Sequence, residues 1–189
     1  MKDILVRGGT VMSGYRNQPE KTAETVDADG WLRSGDIGRI DEDGFLSIID
    51  RKKELIINAA GKNMSPANIE QQLKQGSPLI GQAVAIGDRR PYNVALIVLD
   101  PDACGAFAAA HGLADSSCSA MAAETAVLHE VANGVQRANS HLSRVEQIKR
   151  HVVLGVDWQP AGDELTPTMK LKRRVIATKY ADEIEVLYA

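Results

Sequence analysis

Apolar residues in the first 50 positions fall in short, partly alternating runs, which predicts a β-rich segment. DILVRG alternates weakly, and GWLRSGDIGRIDEDGFLSIID contains two short strands joined by DEDG, a hairpin-turn signal. The intervening stretch NQPEKTAETVDADG is polar. Pro19 is placed to begin a short helix there, and Asp29 with Gly30 to close it as a turn.

The pattern changes after Arg51, where strand-like and helix-like stretches alternate. ELIIN predicts a short strand, and Pro66 opens a helix over ANIEQQLKQ. GQAVAIGD and NVALIVLD predict two buried strands, and their short connection favours antiparallel pairing. Pro101 begins a helix that ends at Gly112, and HVVLGV predicts one further strand.

Two longer helices are predicted from apolar residues spaced three or four apart. The first runs near residues 119–142, with the stripe Val127, Val131, Val135, Ala138 and Leu142. The second follows Thr168 and runs to the end of the chain, with the stripe Ile176, Tyr180, Ile184 and Leu187. Residues 51–189 therefore predict a mixed α/β body.

Composition limits the classes of function. The formal net charge of −3 argues against broad nucleic-acid binding, where a basic excess supplies much of the affinity. No apolar run approaches the roughly 18 residues of a membrane span, although peripheral membrane contact stays open. The first residues lack the apolar core of a signal peptide, and Cys104 and Cys118 are interpreted as free thiols. We therefore expect a cytoplasmic protein. With His111 and His129 these cysteines match no metal-ligand spacing, so no metal site is expected.

The run DRKKELI, residues 50–56, places five charges between two apolar stretches. A solvated surface loop has this composition, and so does a hinge whose charged residues have a functional role. The change in pattern at Asp50 and Arg51 favours the hinge.

Two short motifs could bind a nucleotide or its relatives. RSGD ends in Asp36, whose carboxylate could accept hydrogen bonds from a sugar diol, as an acidic residue does in dinucleotide folds. On local sequence alone, an aspartate that stabilises its own turn is the better interpretation. AAGKN contains Gly61 and Lys62 in a small-residue loop before a helix, but it lacks the spacing of a P-loop.

A third motif, GDELTPTMKLKRR, concentrates four basic residues within five positions. Basic residues at the start of a helix oppose its dipole, so a bound anion is one reason for them. Lys170 or Lys172 could then meet a phosphate as a point charge. A solvated basic cluster is the alternative.

These motifs match one family as an ordered set. The stretches ILVRGGTVMSGYRNQPEKTAE, DGWLRSGD, DEDGFLSIIDRKKELI, AAGKNMSPANIE, VAIGDRRPYNVALIVLD and ELTPTMKLKRRVI follow one another along nearly the whole chain. In this order they resemble the C-terminal part of a long-chain fatty-acid–CoA ligase, a member of the adenylate-forming, AMP-binding enzyme superfamily. The resemblance implies two half-reactions: ATP and a fatty acid form an acyl-adenylate, and coenzyme A then displaces AMP.

The resemblance implies nucleotide-binding roles in the first part of the chain. Asp36 matches the ribose-binding carboxylate, and Arg51 matches an arginine that also contacts the nucleotide sugar. Lys53 matches a basic position near the nucleotide. Asp50 matches the hinge about which the C-terminal domain rotates between the two half-reactions.

Further roles follow for the second part. Gly61, with its neighbour Lys62, matches the loop that approaches the pantetheine arm of coenzyme A. Lys170 matches the catalytic lysine of adenylation, which meets the carboxylate oxygen and the α-phosphate. Two departures are conservative or mild: Ser34 stands where the family usually has Thr, and Ala60 replaces a commoner Gly.

The implied fold class is α+β. Residues 1–50 would be the C-terminal tail of the large N-terminal AMP-binding domain, built of β-hairpins. Residues 51–189 would be the mobile C-terminal lid, a short, mainly antiparallel sheet with flanking helices. The triphosphate loop and the magnesium motif are absent from the sequence, so we expect a fragment that needs the N-terminal domain and is inactive alone.

The expected partners are small molecules, namely ATP or AMP with magnesium, a fatty acid and coenzyme A, none of them tightly bound. Two alternatives stay open. One is a fragment of an acyl-AMP ligase that stops at the adenylate, against which the Gly61 loop weighs mildly. The other is a non-catalytic interaction module derived from the lid, which would require a partner chain.

Overall fold

The computed structural model describes residues 2–189 and divides the chain into two compact units, one ending at Leu55 and the other comprising Ile56–Ala189. The assignment of domains to residues 1–50 and 51–189 stays a prediction. None of the helices within residues 2–189 is both long and apolar enough to cross a bilayer.

The first unit is a three-stranded antiparallel sheet with one short helix. Its elements are β1 (Lys2–Val6), α1 (Pro19–Thr25), β2 (Leu32–Ile40) and β3 (Leu46–Arg51), with strand order β1-β2-β3. The turn between β2 and β3 is closed by the Asp41 carboxylate, which accepts the backbone N–H groups of Asp43 and Phe45 at 3.1 and 2.8 Å. Gly44 in this turn has a φ of +87°. The predicted hairpin is therefore confirmed.

This first unit buries little apolar surface. Among its described residues, Ile37 is the one large apolar side chain that is buried. Ile40, Phe45 and Ile48 are 68%, 71% and 68% exposed. An open groove of about 390 Å³ runs beside β1 and β2, and Leu46 contributes to its lining. A sheet with so small a core depends on further apolar contacts for its stability.

The second unit contains two sheets and six helices among the described residues. Its strands are β4 (Ile56–Ile57), β5 (Asn63–Met64), β6 (Ile80–Ile86), β7 (Asn93–Leu99) and β8 (Ile148–Leu154). Its helices are α2 (Pro66–Gly76), α3 (Pro101–His111), α4 (Cys118–Met121), α5 (Thr125–Ser140), α6 (Arg173–Lys179) and α7 (Ala181–Tyr188). The ELIIN strand is shorter than predicted, because only two of its residues pair, with β5.

The main sheet has the order β6-β7-β8. β6 and β7 are antiparallel, as predicted, whereas β7 and β8 are parallel. The sheet is thus mixed, and the remaining strand pairs of the described chain are antiparallel. The α+β class with a short, mainly antiparallel sheet and flanking helices is confirmed.

The central strand β7 is buried on both faces, since all seven of its residues are inaccessible. Alternate side chains enter two different cores, as the period of a strand requires. The first core takes Ala95, Ile97 and Leu99 together with the apolar stripes of α2 and α5. The second core takes Val94, Leu96 and Val98 together with Trp158, Leu165 and the stripe of α6 and α7. Helices therefore cover both faces of the sheet.

The single helix predicted near residues 119–142 is wrong, because two helices occupy this stretch. Residues 122–124 form tight i→i+3 turns, in which Ala123 and Glu124 donate to the carbonyls of Ala120 and Met121. This break directs the side chain of Met121, which is fully buried, into the first core. The predicted stripe of α5 is nevertheless confirmed, since each of its members is buried in that core.

The predicted C-terminal helix is also interrupted and begins later than expected. Helix α6 starts at Arg173, and the chain bends at Tyr180, where φ is −109° and ψ is 32°. Met169 has a φ of +62°, a left-handed conformation that a right-handed helix does not tolerate. The stripe of Ile176, Tyr180, Ile184 and Leu187 is buried in the second core, as predicted.

Candidate functional site

Lys170 lies in a tight hairpin, residues 164–172, here called the Lys170 hairpin. A bridge between Leu165 and Leu171 closes it, and the backbone N–H of Thr166 donates to the carbonyl of Lys170 at 2.9 Å. Met169 N–H donates to Thr166 O at 2.9 Å, and Met169 takes the left-handed conformation. A β-turn followed by a left-handed residue is the usual arrangement of a three-residue hairpin loop. Lys170 is therefore in a defined loop and not in a helix.

The side chain of Thr166 fixes the backbone at Lys170 directly. Its Oγ1 accepts the N–H of Lys170 at 3.0 Å and lies 3.1 Å from the hydroxyl of Thr168. Pro167 sets the first turn position, because its φ is already restricted. A non-glycine residue in the left-handed region, here Met169, carries strain that is common at functional sites.

The base of the hairpin is anchored in the second core. Leu165 is fully buried, and Glu164 beside it is 6% exposed. The Glu164 carboxylate accepts hydrogen bonds from Lys179 Nζ at 2.7 Å and from the Tyr180 hydroxyl at 3.0 Å. Trp158 Nε1 donates to the Tyr180 hydroxyl at 3.0 Å. The hairpin thus projects from a packed, hydrogen-bonded base.

The four basic residues of this region differ in whether their side chains have a partner within the chain. Lys172 Nζ donates to Gly162 O at 2.7 Å, and Arg173 forms a two-point ion pair with Glu70. Among residues 2–189, the side-chain nitrogens of Lys170 and Arg174 have no hydrogen bond or ion pair. Of the two lysines that the local sequence pattern left undecided, Lys170 is therefore the one with an available ammonium.

A second exposed loop, residues 58–64, contains Gly61 and Lys62 and is here called the Gly61 loop. Asn58 Oδ1 accepts the N–H groups of Ala60 and Lys62 at 3.0 and 2.9 Å. Gly61 has a φ of +74°, and a Cβ placed on it would meet no atom within 4 Å. The conformation favours glycine, and the open space above it admits the close approach of a ligand.

The Gly61 loop rests on the connection between β6 and β7. Ala59 N–H donates to Arg90 O at 3.1 Å, and Arg89 N–H donates to Ile57 O at 2.8 Å. The Asp88 carboxylate accepts the N–H of Ile57 at 3.2 Å. These supporting bonds join segments about 30 residues apart, so local sequence patterns contained no signal for them.

In the first unit, the structure brings Asp36 and Arg51 together. They are cross-strand partners on β2 and β3, and Arg51 Nε lies 3.3 Å from Asp36 Oδ1. The turn itself is closed by Ser34, whose Oγ accepts the N–H of Asp36 at 3.0 Å. The Asp36 carboxylate makes no bond to its own turn among the described residues, so the turn-stabilising interpretation of Asp36 is wrong.

The remaining predicted residues of the first unit lie at the end of β3. Asp50 Oδ1 accepts the N–H of Arg51 at 2.7 Å. Lys53 is exposed in the turn of residues 52–54, which follows the strand. Asp50, Arg51 and Lys53 thus share one short segment, directly before the second unit begins at Ile56.

The buried thiol of Cys104 and the partly buried thiol of Cys118 lie outside these loops. Burial raises the pKa of Cys104 to about 12, and it also raises the pKa of Cys118. Both are free cysteines. A thiol with so high a pKa is a poor nucleophile near neutral pH, so neither is a candidate for catalysis.

The fold of this chain, a mixed sheet covered on both faces by helices, recurs among solved structures. Its fold matches the adenylation domain of a carboxylate reductase from Mycobacterium chelonae, with a TM-score of 0.78 and 24% identity over 98% of this chain and 27% of that chain. The corresponding domain from Segniliparus rugosus gives a TM-score of 0.77 and 22% identity, over 98% of this chain and 28% of that one.

The sequence comparison identifies the family. The AMP-binding enzyme C-terminal domain matches residues 53–189, and the chain belongs to this family. It is 58% identical to the putative fatty-acid–CoA ligase fadD11 of Mycobacterium tuberculosis, over 99% of this chain and 33% of that protein. It is 44% identical to the long-chain-fatty-acid–CoA ligase FadD15 of the same species, over 98% of this chain and 31% of that protein. The chain therefore spans about a third of the length of these curated relatives.

Proposed function

We propose that this chain forms the C-terminal part of an ATP-dependent long-chain fatty acyl-CoA synthetase. The observation that carries the proposal is the Lys170 hairpin, which presents one unpaired ammonium on a rigid base while Lys172 and Arg173 have internal partners. Membership of the family and the two mycobacterial relatives support the same reaction class.

Lys170 acts in the first half-reaction, in which the fatty-acid carboxylate attacks the α-phosphate of ATP and pyrophosphate leaves. Its ammonium stabilises the negative charge that develops on the α-phosphate and the attacking oxygen. A preorganised donor of this kind contributes about 3–4 kcal/mol to the transition state. Thr166 and the strained Met169 are positioning residues, because they hold the backbone on both sides of the turn.

Asp36 and Arg51 form the nucleotide-sugar site. Arg51 Nε lies 3.3 Å from one oxygen of the Asp36 carboxylate, and neither oxygen accepts a hydrogen bond within residues 2–189. The carboxylate accepts hydrogen bonds from the ribose hydroxyls. Lys53 adds positive charge near the nucleotide, and Asp50 is the hinge about which the domain turns before the second half-reaction.

The Gly61 loop serves the second half-reaction, in which the thiol of coenzyme A attacks the acyl-adenylate and AMP leaves. The absence of a side chain at Gly61 lets the pantetheine arm pass close to the backbone. Lys62, exposed beside it, interacts with the negative charge of coenzyme A. Magnesium accompanies the triphosphate, and the residues that bind it belong to the large N-terminal domain.

The first unit belongs to that large domain. Its exposed Ile40, Phe45 and Ile48 supply the apolar surface that the rest of the domain covers. Alone, the chain binds the nucleotide weakly and does not turn over. A cytoplasmic location remains the prediction from the sequence.

The test is a chimera in which this chain replaces the corresponding third of FadD15. Adenylate formation is measured as the release of pyrophosphate. Thioester formation is measured separately, starting from a supplied acyl-adenylate. Lys170→Ala slows adenylate formation by at least about 10²-fold and leaves thioester formation nearly unchanged. The isolated chain, mixed with ATP, magnesium, palmitate and coenzyme A, releases no AMP.

Arg174→Ala is the matched control, since Arg174 is a basic neighbour with a similarly unpaired side chain. Equal and mild effects of the two substitutions would remove Lys170 from the catalytic role. A chimera that forms the adenylate but transfers nothing to coenzyme A would identify an acyl-AMP ligase instead.

A further inference from the structure

A partly buried ion pair connects the Lys170 hairpin to a distant helix. Arg173 Nη1 and Nη2 donate to the two carboxylate oxygens of Glu70 at 2.5 and 2.7 Å. The Glu70 side chain is 8% exposed and that of Arg173 is 24% exposed. Glu70 Oε1 also accepts the N–H of Ala85 at 2.9 Å. One carboxylate thus joins α2, β6 and the first residue of α6.

Arg173 lies close to the hairpin tip along the chain. Only two residues separate it from Lys170, and both are held: Leu171 pairs with Leu165, and the N–H of Lys172 donates to Glu164 O at 2.8 Å. Arg173 and Lys170 are therefore joined by a short segment whose backbone is held to the other arm of the hairpin.

The geometry of this ion pair is better suited to orienting the Lys170 hairpin than to stabilising the fold. A buried ion pair loses so much hydration that its net contribution to folding is small. A two-point guanidinium–carboxylate contact, however, fixes direction as well as distance. The second core holds the other arm of the hairpin independently through Leu165 and Glu164. The hairpin can therefore persist without the pair, in a less defined position.

We propose that Glu70 and Arg173 are positioning residues for Lys170 and set the place at which its ammonium meets the reacting phosphate. This inference rests on the role proposed for Lys170. Because Glu70 lies on α2, whose N-cap Ser65 directly follows the Gly61 loop, the same helix is attached to both predicted substrate loops.

The test uses the FadD15 chimera with Glu70→Gln, which keeps an acceptor for Ala85 N–H but removes the charge. A misplacement of about 1 Å can slow a reaction up to about 10²-fold, so we expect adenylate formation to slow by about 10-fold to 10²-fold. The loss lies in the maximal rate more than in the KM for ATP. Thioester formation from supplied acyl-adenylate stays within about 2-fold of the unsubstituted chimera.

Arg173→Lys separates charge from geometry. Lysine keeps the positive charge but lacks the planar fork, so it makes one contact in place of two. We expect an intermediate loss of adenylation. Activity equal to that of the unsubstituted chimera would show that geometry at this position is unimportant and would overturn the proposal.

Glu130→Gln is the control for a general loss of charge, because Glu130 pairs with Arg137 at 2.6 Å within the same unit. It leaves both half-reactions unchanged. If Glu70→Gln instead lowers both half-reactions equally, the pair is only structural and the proposal fails. If Lys170→Ala slows adenylation while Glu70→Gln does not, the proposal fails and the proposed function stands. If Lys170→Ala has no effect, the proposed function fails.

A second measurement applies if the substituted chimera does not fold. In the isolated chain, Glu70→Gln or Arg173→Lys should speed the hydrogen exchange of the amides of residues 166–172 and leave α5 unaffected. Unchanged exchange in the hairpin would contradict the positioning role.

Discussion

The Glu164→Gln substitution tests whether a buried charge holds the base of the Lys170 hairpin. Burial by itself would raise the pKa of Glu164, but hydrogen bonds from Lys179 and Tyr180 outweigh it and lower the pKa below its ordinary value of 4.5. The substitution keeps a side-chain oxygen as an acceptor in nearly the same place. It removes the charge that strengthens both hydrogen bonds.

The magnitude follows from those two bonds. A hydrogen bond to a charged group contributes about 1.5–3 kcal/mol, compared with about 0.5–1.5 kcal/mol for a neutral one. The Lys179 side chain is 46% exposed, so solvent screens much of its share. We therefore expect Glu164→Gln to lower the free energy of unfolding by about 1–2 kcal/mol at neutral pH.

The pH dependence has a definite sign. Because the folded state lowers the pKa of Glu164, its stabilising effect is complete above the ordinary carboxyl pKa and is lost as the pH falls through the folded-state value. The difference in the free energy of unfolding between the unsubstituted chain and the Glu164→Gln variant should therefore be largest near about pH 7. It should shrink as the pH falls below about 4.5.

The assay is urea unfolding of the whole chain, followed by the fluorescence of Trp158, which lies in this network. A Trp31→Phe background removes the other tryptophan of the sequence. Glu130→Gln serves as the control, because the partner Arg137 is 52% exposed and such a surface pair contributes about 0.2–1 kcal/mol. If Glu164→Gln lowers the free energy of unfolding equally at about pH 7 and well below about pH 4.5, the electrostatic argument is refuted.

Two further predictions concern the first core. Gly76→Ala should destabilise the second unit by about 1–3 kcal/mol in urea unfolding, since the new Cβ would lie 2.2 Å from Gly134 O. Gly105→Ala, which places its Cβ in open space on α3, should be neutral or stabilising. Equal effects of the two substitutions would contradict the close helix contact at Gly76. Because burial raises the pKa of Cys104 to about 12, this thiol should resist alkylation near about pH 8 in the folded protein and react after unfolding. Mass spectrometry of the labelled peptides measures the extent of alkylation. Full labelling of Cys104 in the folded protein would be inconsistent with its burial.

Several features of the fold were predictable because their signals are local. Pro66 and Pro101 stand at the first turns of α2 and α3, and Ser65 and Asp100 cap those helices through side-chain bonds at 3.1 and 2.9 Å. Gly112 ends α3 in the left-handed conformation. The apolar stripes were predictable for a similar reason, since they recur at the period of the helix that carries them.

The breaks in the helices were not predictable from those stripes. The apolar spacing of the C-terminal stripe continues unchanged across Tyr180, and the stripe of α5 begins only at Val127, after the turns of residues 122–124. The bends bring Tyr180 and Met121 into separate cores on opposite faces of the sheet. Packing against β7 therefore decides where these helices end.

The candidate site divides in the same way. By itself, the sequence determined the basic cluster, the glycine loop, the acidic turn and, through the order of its motifs, the family. The local pattern of the basic cluster did not distinguish Lys170 from Lys172, because the two differ by which one meets a carbonyl in the folded chain. Nor did it reveal the pairing of Glu70 with Arg173, which lie 103 residues apart and approach each other only when α2 and α6 pack on the sheet. Residue type and local spacing are written along the chain, whereas the partner of each charge is decided by the tertiary contacts that bring distant segments together.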